Sequence, residues 1–279
     1  MLEITNLLIA KNRARNLTAP IRKKIKEKKY TRYQNLHTTM KLLETLQEEK
    51  SSKLTGGIYH KTQIRLTYNT NRIEGSKLSE EQTRYIYETN TLVTEEGKNT
   101  ANIDDIIETV NHFQCFDYML EKVKEPLSEA HIKEFHKILK LNTSASKKEW
   151  FKIGEYKLKP NVVGGVETSK PGEVKKHINK LLKNYNGKNN IEISDIIDFH
   201  YEFEAIHPFQ DGNGRVGRLI MFKECLKHNI VPFIIEDEYK FFYYRGLSKY
   251  PKVKGYLKDT CLSAQDKYLD LMKYFEIER

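Results

Sequence analysis

The 279-residue sequence predicts an all-α protein that carries one small β-hairpin. Three observations point there. Apolar residues recur at spacings of three and four along most of the chain, serines stand ahead of several of these runs, and one β-branched stretch around Gly164-Gly165 departs from the pattern. Spacing by three and four lays apolar groups along one stripe of a helix, whereas Gly-Gly between short extended runs is a hairpin turn.

In chain order, Tyr33, Leu36, Met40 and Leu43 make a first helical stripe. Thr70 and Glu74 lie four apart and share a helix face, with Gly75 suited to the position just past a helix end. Ser79 with Gln82 resembles a capping box ahead of Tyr85 and Ile86. Ile103, Ile106, Val110, Phe113 and Leu120 form the next stripe, and Ser128 caps a helix that presents Ile132, Phe135 and Leu139. The hairpin follows over Tyr156–Thr168, trailed by Pro171 and Gly172. Ser194 stands as a cap before Ile196, Phe199 and Phe203, and Val216, Leu219, Phe222 and Leu226 share one face after a glycine-rich loop. The stretch from Glu236 to Glu278 reads as two helices broken near Pro251. The pattern divides into an N-terminal helical region over 1–97, a core over 98–235 and C-terminal helices over 236–279 that pack on the core, with the joint near 94–100.

Composition limits the function classes. Hydrophobic residues make up 38% and charged residues 31% of the chain, a balance suited to a helical body with wide solvated faces. No apolar run approaches the roughly 20 residues needed to span a bilayer, so no membrane role is expected. The N-terminus lacks the basic start and small-residue cleavage site of a signal peptide, which makes the cytoplasm the expected location. Cys115, Cys225 and Cys261 are too sparse and too few for a disulfide framework and read as reduced, buried thiols. The net charge is +10, but residues 1–30 carry nine Lys/Arg against Glu3 and Glu27. The chain is therefore a basic arm on a near-neutral body. Such an arm suits nucleic acid or an acidic partner surface, yet no aromatic interleaving or recognition motif supports nucleic acid.

The chemistry concentrates in residues 207–218, His-Pro-Phe-Gln-Asp-Gly-Asn-Gly-Arg-Val-Gly-Arg. Gly212 and Gly214 remove side chains, so that backbone N–H groups can approach a ligand. A helix starting near Asn213 offers its unpaired N–H groups and positive dipole end to an anion. Arg215 and Arg218 lie three apart on its first turn, two guanidinium forks that fit a di- or triphosphate. Asp211 supplies a hard carboxylate of the kind Mg²⁺ takes when it bridges phosphate oxygens, and His207 a general base for an attacking hydroxyl. Phosphoryl and nucleotidyl transfer need this set, because positioning and charge neutralisation supply most of their catalysis.

His207-x-Phe209-x-Asp211-Gly-Asn-Gly-Arg215-x-x-Arg218 resembles the signature of the Fic family (Fido fold) at every defining position. The resemblance implies a Fido-type helical bundle whose hairpin flap, here Tyr156–Thr168, docks the target protein segment as an added strand. It implies transfer of AMP from ATP to a Ser, Thr or Tyr hydroxyl of a target protein, and of the enzyme itself, with release of pyrophosphate. Residue by residue, His207 would be the base, Asp211 would hold Mg²⁺, and Gly212, Asn213 and Gly214 would form the anion hole. Asn213 would face the α-phosphate, and Arg215 and Arg218 would bind the β- and γ-phosphates. Phe209 looks like the core anchor of the loop.

Upstream, Thr70-Asn-Arg-Ile-Glu74-Gly75 is similar to the family's inhibitory motif, which places this chain with the relatives whose inhibitory helix precedes the core. The resemblance implies that Glu74 pairs with Arg218 and blocks the γ-phosphate, since a carboxylate and a phosphate compete for one guanidinium. The expected protein is thus an autoinhibited adenylyltransferase. Two readings stand beside it. One is a Fic-type enzyme with another donor (UMP, phosphocholine or phosphate) or one that removes AMP; Gly214 argues against the kinase-type relatives, which carry lysine there. The other is a catalytically silent regulatory or nucleic-acid-binding module. The sequence is compatible with a homo-oligomer.

Overall fold

The structure, a computed structural model, describes residues 41–93 and 101–277. The basic arm, the stripe positions Tyr33, Leu36 and Met40, the joint near 94–100 and Glu278 lie outside the described residues. Helix α1 covers 41–52, and Leu42 and Leu46, one turn apart, are fully buried while Leu43 only edges the core. Helix α2 (Ile58–Ile73) ends in a left-handed closing turn. Gly75 sits at φ +101, its N–H bonds to Arg72 O, and the N–H of Ser76 bonds to Asn71 O. This paired closure fixes the last carbonyls of the helix and leaves Glu74 at its C-cap.

Helix α3 (Glu80–Thr89) starts in the capping box expected of Ser79 and Gln82. Helix α4 (Ile103–Glu121) turns Phe113 and Leu120 inward, but Ile103 is exposed because the helix opens there against solvent. Helix α5 (Glu129–Lys140) is capped by Ser128, and Ile132, Phe135 and Leu139 are fully buried. The hairpin is shorter than its composition suggested. Strand β1 (Val162–Val163) pairs antiparallel with β2 (Val166–Glu167), Val163 opposite Val166, around Gly164 and Gly165 at φ +57 and +80. Two positive φ values in a two-residue loop are what a type I′ turn requires, which is why both positions are glycine.

Helix α6 (Val174–Asn186) leads to α7 (Ile193–Ile206). Ser194 is not the cap of α7. Glu192 takes that place, in a reciprocal capping box with Asp195, so the helix begins two residues earlier than the serine implied. Helix α8 (Asn213–Lys227) is buried on nearly every face and packs against α7, α4, α5 and α2. A helix enclosed all round belongs at the centre of a fold rather than on its surface. Helices α9 (Lys240–Lys249) and α10 (Gly255–Tyr274), parted around Pro251, close the bundle. One continuous apolar core runs from Leu42 to Ile277 and takes in Phe116, Phe135, Phe203, Phe209 and Phe222. Cys115, Cys225 and Cys261 are buried free thiols within it. Among the described residues no helix is long and apolar enough to cross a membrane.

Candidate active site

The loop between α7 and α8 is built at both ends by left-handed residues. His207 caps α7 at φ +51, its N–H bonded to Phe203 O, and Gly212 caps the start of α8 at φ +82. Phe209 anchors the loop as expected: it is fully buried and stacked flat on the His136 ring, with centroids 3.9 Å apart. The side chain of Asn213 grips the backbone of Phe209 from both sides. Its Oδ1 accepts from Phe209 N at 2.8 Å and its Nδ2 donates to Phe209 O at 2.9 Å. Asn213 therefore braces the loop, and its contribution to an anion is its position at the N-terminus of α8.

The imidazole of His207 is mostly but not fully buried, and its Nδ1 has no hydrogen-bond partner. Burial, followed by the nearby Lys157 ammonium, pushes it down to about 4, so it is a neutral base at physiological pH. The carboxyl of Glu204, one turn back on α7, lies 3.9 Å from Nδ1. Burial and the neighbouring Glu74 push Glu204 up to about 8.

Arg218 points to α2 rather than to open solvent. Its Nε donates to Thr70 Oγ1 at 2.6 Å, while its Nη2 donates to Thr70 O at 3.1 Å and to Glu74 Oε1 at 2.6 Å. Its Nη1 reaches the Tyr243 hydroxyl at 3.4 Å, and the guanidinium lies over that ring. The Glu74 carboxylate also lies over the first turn of α8, because a Cβ added to Gly214 would meet Glu74 Oε1 at 2.2 Å. One carboxylate thus fills both the space above the helix N-terminus and the guanidinium beside it. The Tyr244 hydroxyl donates to Ile73 O at 2.9 Å and tethers the end of α2 from α9.

Arg215 faces a different partner. It bonds to Glu108 on α4, and Lys140, the last residue of α5, bonds to that same carboxylate. Lys140 Nζ also donates to Asp211 at 2.6 Å, and Arg215 lies 3.7 Å from Asp211. The two cations hold the Asp211 carboxyl well below the usual carboxylate range against the opposing effect of burial. Asp211 remains half exposed toward the loop, and among the described residues no group of three His, Cys, Asp or Glu side chains is placed to cage a metal. A single half-exposed hard carboxylate beside a helix N-terminus would fit Mg²⁺ carried by a nucleotide, which keeps most of its other ligands as phosphate oxygens and water.

The hairpin is stitched to this loop. Lys157, buried and with Nζ bonded to Asn161 Oδ1 (2.7 Å), Thr168 Oγ1 (2.6 Å) and Ile206 O (3.3 Å), joins both hairpin legs to the end of α7. The Lys157 N–H donates to Pro208 O at 2.9 Å, and Asn161 Nδ2 to Phe209 O at 3.3 Å. Burial pushes Lys157 down to about 8.

All the motif residues expected from the sequence, and Thr70, Glu74 and Gly75, converge on this one region. Glu108, Lys140, Lys157, Glu204 and Tyr243 join them without any sequence motif to announce them. A lone lysine in the apolar run Ile138-Leu-Lys-Leu141 was the one available hint.

Residues 126–225, which include this loop, match the model of the Fic/DOC family. Over these residues the chain is similar to the Fic/DOC family. Over 188 residues it is 27% identical to a protein adenylyltransferase Fic of Culex quinquefasciatus, a match covering 65% of this chain and 35% of that protein. The protein adenylyltransferase fic-1 of Caenorhabditis elegans is 26% identical over 186 residues, covering 64% of this chain and 35% of the relative. The matched part is about a third of the length of these curated relatives. Among solved structures, a Fic-domain-containing signalling protein from Bacteroides thetaiotaomicron superposes with a TM-score of 0.66 at 21% identity, covering 85% of this chain and 96% of that one. Fic-1 of C. elegans superposes with a TM-score of 0.63 at 20% identity, over 99% of this chain and 77% of that one. At these identities the likeness in structure speaks for the fold, a helical bundle with a single two-stranded hairpin among the described residues.

Proposed function

We propose that this chain is an autoinhibited protein adenylyltransferase that moves AMP from ATP to a hydroxyl of a target protein and of itself. The observation that carries the reading is the Glu74–Arg218 pair at 2.6 Å, set over the N-terminal turn of α8. A carboxylate held at a helix N-terminus and on a buried guanidinium stands where an anionic phosphate would be received. The names of the relatives, protein adenylyltransferases, support the choice of donor and acceptor.

In this reading His207 takes the proton of the target Ser, Thr or Tyr hydroxyl as its oxygen attacks the α-phosphorus. The bond between the α-phosphorus and the bridging oxygen breaks, and pyrophosphate leaves. The mostly buried, neutral imidazole suits a base, and Nδ1 faces the protein so that Nε2 is the nitrogen left for the proton. Gly212, Asn213 and Gly214 receive phosphate oxygens on backbone N–H groups, Arg215 holds the β-phosphate, and Arg218 the γ-phosphate once Glu74 withdraws. Asp211 would hold Mg²⁺, whose charge would offset that building on the phosphates. The hairpin at Val162–Glu167, tied to the loop through Lys157, would receive the target backbone as a third strand.

The test is Glu74→Gly incubated with α-labelled ATP and Mg²⁺. Self-labelling should rise at least about tenfold over wild type, the scale of one lost ion pair at a shared guanidinium. His207→Ala in the same background should return it to background. Equal silence of folded wild type and Glu74→Gly would overturn the brake, and labelling that survives His207→Ala would remove His207 as base.

A further inference from the structure

Lys140 is the feature of this site that the reaction leaves unexplained. Its side chain is 3% exposed, and it links three elements: its own helix α5, Glu108 on α4, and Asp211 on the loop. A lysine at a helix end is favoured by the helix dipole alone. That does not account for an ammonium aimed away from α5 onto the one carboxylate suited to a metal. With Arg215, the two cations and two carboxylates close a ring in which each carboxylate meets both cations. The ring is electrically balanced, and neither Lys140 nor Arg215 is exposed enough to swing out of it.

We propose that Lys140 is a resident counter-cation that keeps free divalent metal off Asp211, so that metal enters this site only together with nucleotide phosphate. The inference rests on the nucleotidyl-transfer reading of the loop. A bare divalent cation would add two positive charges beside a buried ammonium and a buried guanidinium that cannot leave, and like charges in a poorly solvated site repel strongly. A nucleotide changes the exchange. Its phosphates give Arg215 an anionic partner, and Lys140 keeps Glu108, to which it is already bonded. Asp211 is then released to the metal with no buried charge left unpaired, the condition under which a buried ion network can be rearranged at small cost.

The experiment follows Mn²⁺ by the loss of its free-ion electron paramagnetic resonance signal, with and without ADP. ADP lacks the phosphate assigned to Arg218 and leaves the Glu74 pair in place. Wild type should take up Mn²⁺ only when ADP is present. Lys140→Met should bind Mn²⁺ without ADP at least about tenfold tighter than wild type, Asp211→Asn should abolish that gain, and Lys140→Arg should restore wild-type behaviour. Wild type binding Mn²⁺ alone as tightly as Lys140→Met overturns the proposal.

Should Lys140→Met fail to fold, the ¹⁵N resonance of the Lys140 ammonium decides the matter in wild type. It should stay in place with Mg²⁺ alone and move with Mg²⁺ plus ADP; movement with Mg²⁺ alone overturns the proposal. Failure of ADP to bind under any condition would instead strike the nucleotide reading, and the metal-alone arms would still judge Lys140.

Discussion

At the scale of single residues, two environments set the chemistry of the loop. Arg218 spends its donors on Thr70, Glu74 and Tyr243, and it is these contacts, more than its charge, that make it unavailable. His207 owes its neutrality to burial and to Lys157, a cation with no carboxylate among its bonded partners. A folded-state value near 4 keeps this imidazole neutral well below pH 6.5, so if His207 is the base as proposed, activity should persist far below the 6.5 of a free imidazole. For Glu74→Gly protein, which also lacks the Glu74 carboxylate that raises the imidazole, the acid limb of the pH–rate profile should reach half-maximum at about pH 4 or below, measured by self-labelling over short times. A limb centred at about 6.5 would show that this histidine is solvated in the working enzyme and that Lys157 does not act on it.

At the scale of elements, α8 is the axis around which the site is arranged, and its fit against α7 depends on Gly217. A Cβ there would lie 2.8 Å from the His200 ring and 2.9 Å from Glu204 Oε1. The His200 ring cannot yield easily, since it is fully buried and bonded to the Tyr243 hydroxyl at 2.7 Å. Overpacking of this kind costs about 1–3 kcal/mol, more than the roughly 1 kcal/mol that alanine gains over glycine in a helix. Gly217→Ala should therefore lower Tm by a few degrees in calorimetry, and an unchanged or raised Tm would mean that α7 and α8 part readily.

The elements themselves were largely legible in the sequence, because caps and stripes are local signals. Ser79 and Ser128 sit where a serine can accept the third N–H of its helix, and both do. Ser194 misled because Glu192 and Asp195 form a rival box two residues earlier. Glu108 and Lys140 were not legible. Their partners lie 32, 71 and 107 positions away, and no periodicity carries that information. The motif names the side chains proposed to meet phosphate, but only the fold tells what holds them at rest.

At the scale of the whole molecule, the core has a weakness in acid. Burial pushes His112, His136 and His200 down to about 3. Each is lowered on folding, so the unfolded chain takes up their protons first as pH falls below about 6.5, and stability drops from there toward pH 3. Glu204 acts in the opposite sense. Raised to about 8, it favours the folded state as pH falls from 8 toward its unfolded value near 4.5. His207, lowered to about 4, acts in the same sense as the three core histidines, so together they outweigh one glutamate, and Tm should fall by roughly 5–10 °C between pH 6.5 and 5. A flat Tm over that range in scanning calorimetry would mean that these rings gain access to water on a scale the packed core does not suggest.

The Glu74–Arg218 contact joins residues 144 apart in sequence, and it belongs at once to the closing turn of α2 and to the first turn of α8. If phosphate and Glu74 exclude each other as proposed, a single coupling free energy governs both events, and it is reciprocal. Whatever affinity Glu74 takes from the triphosphate, the triphosphate takes from the docking of α2. The turn at Glu74-Gly75 is then a two-way link. A partner that grips or releases α2 would tune the enzyme for its donor from a distance, and rising donor concentration would in turn loosen α2 for such a partner.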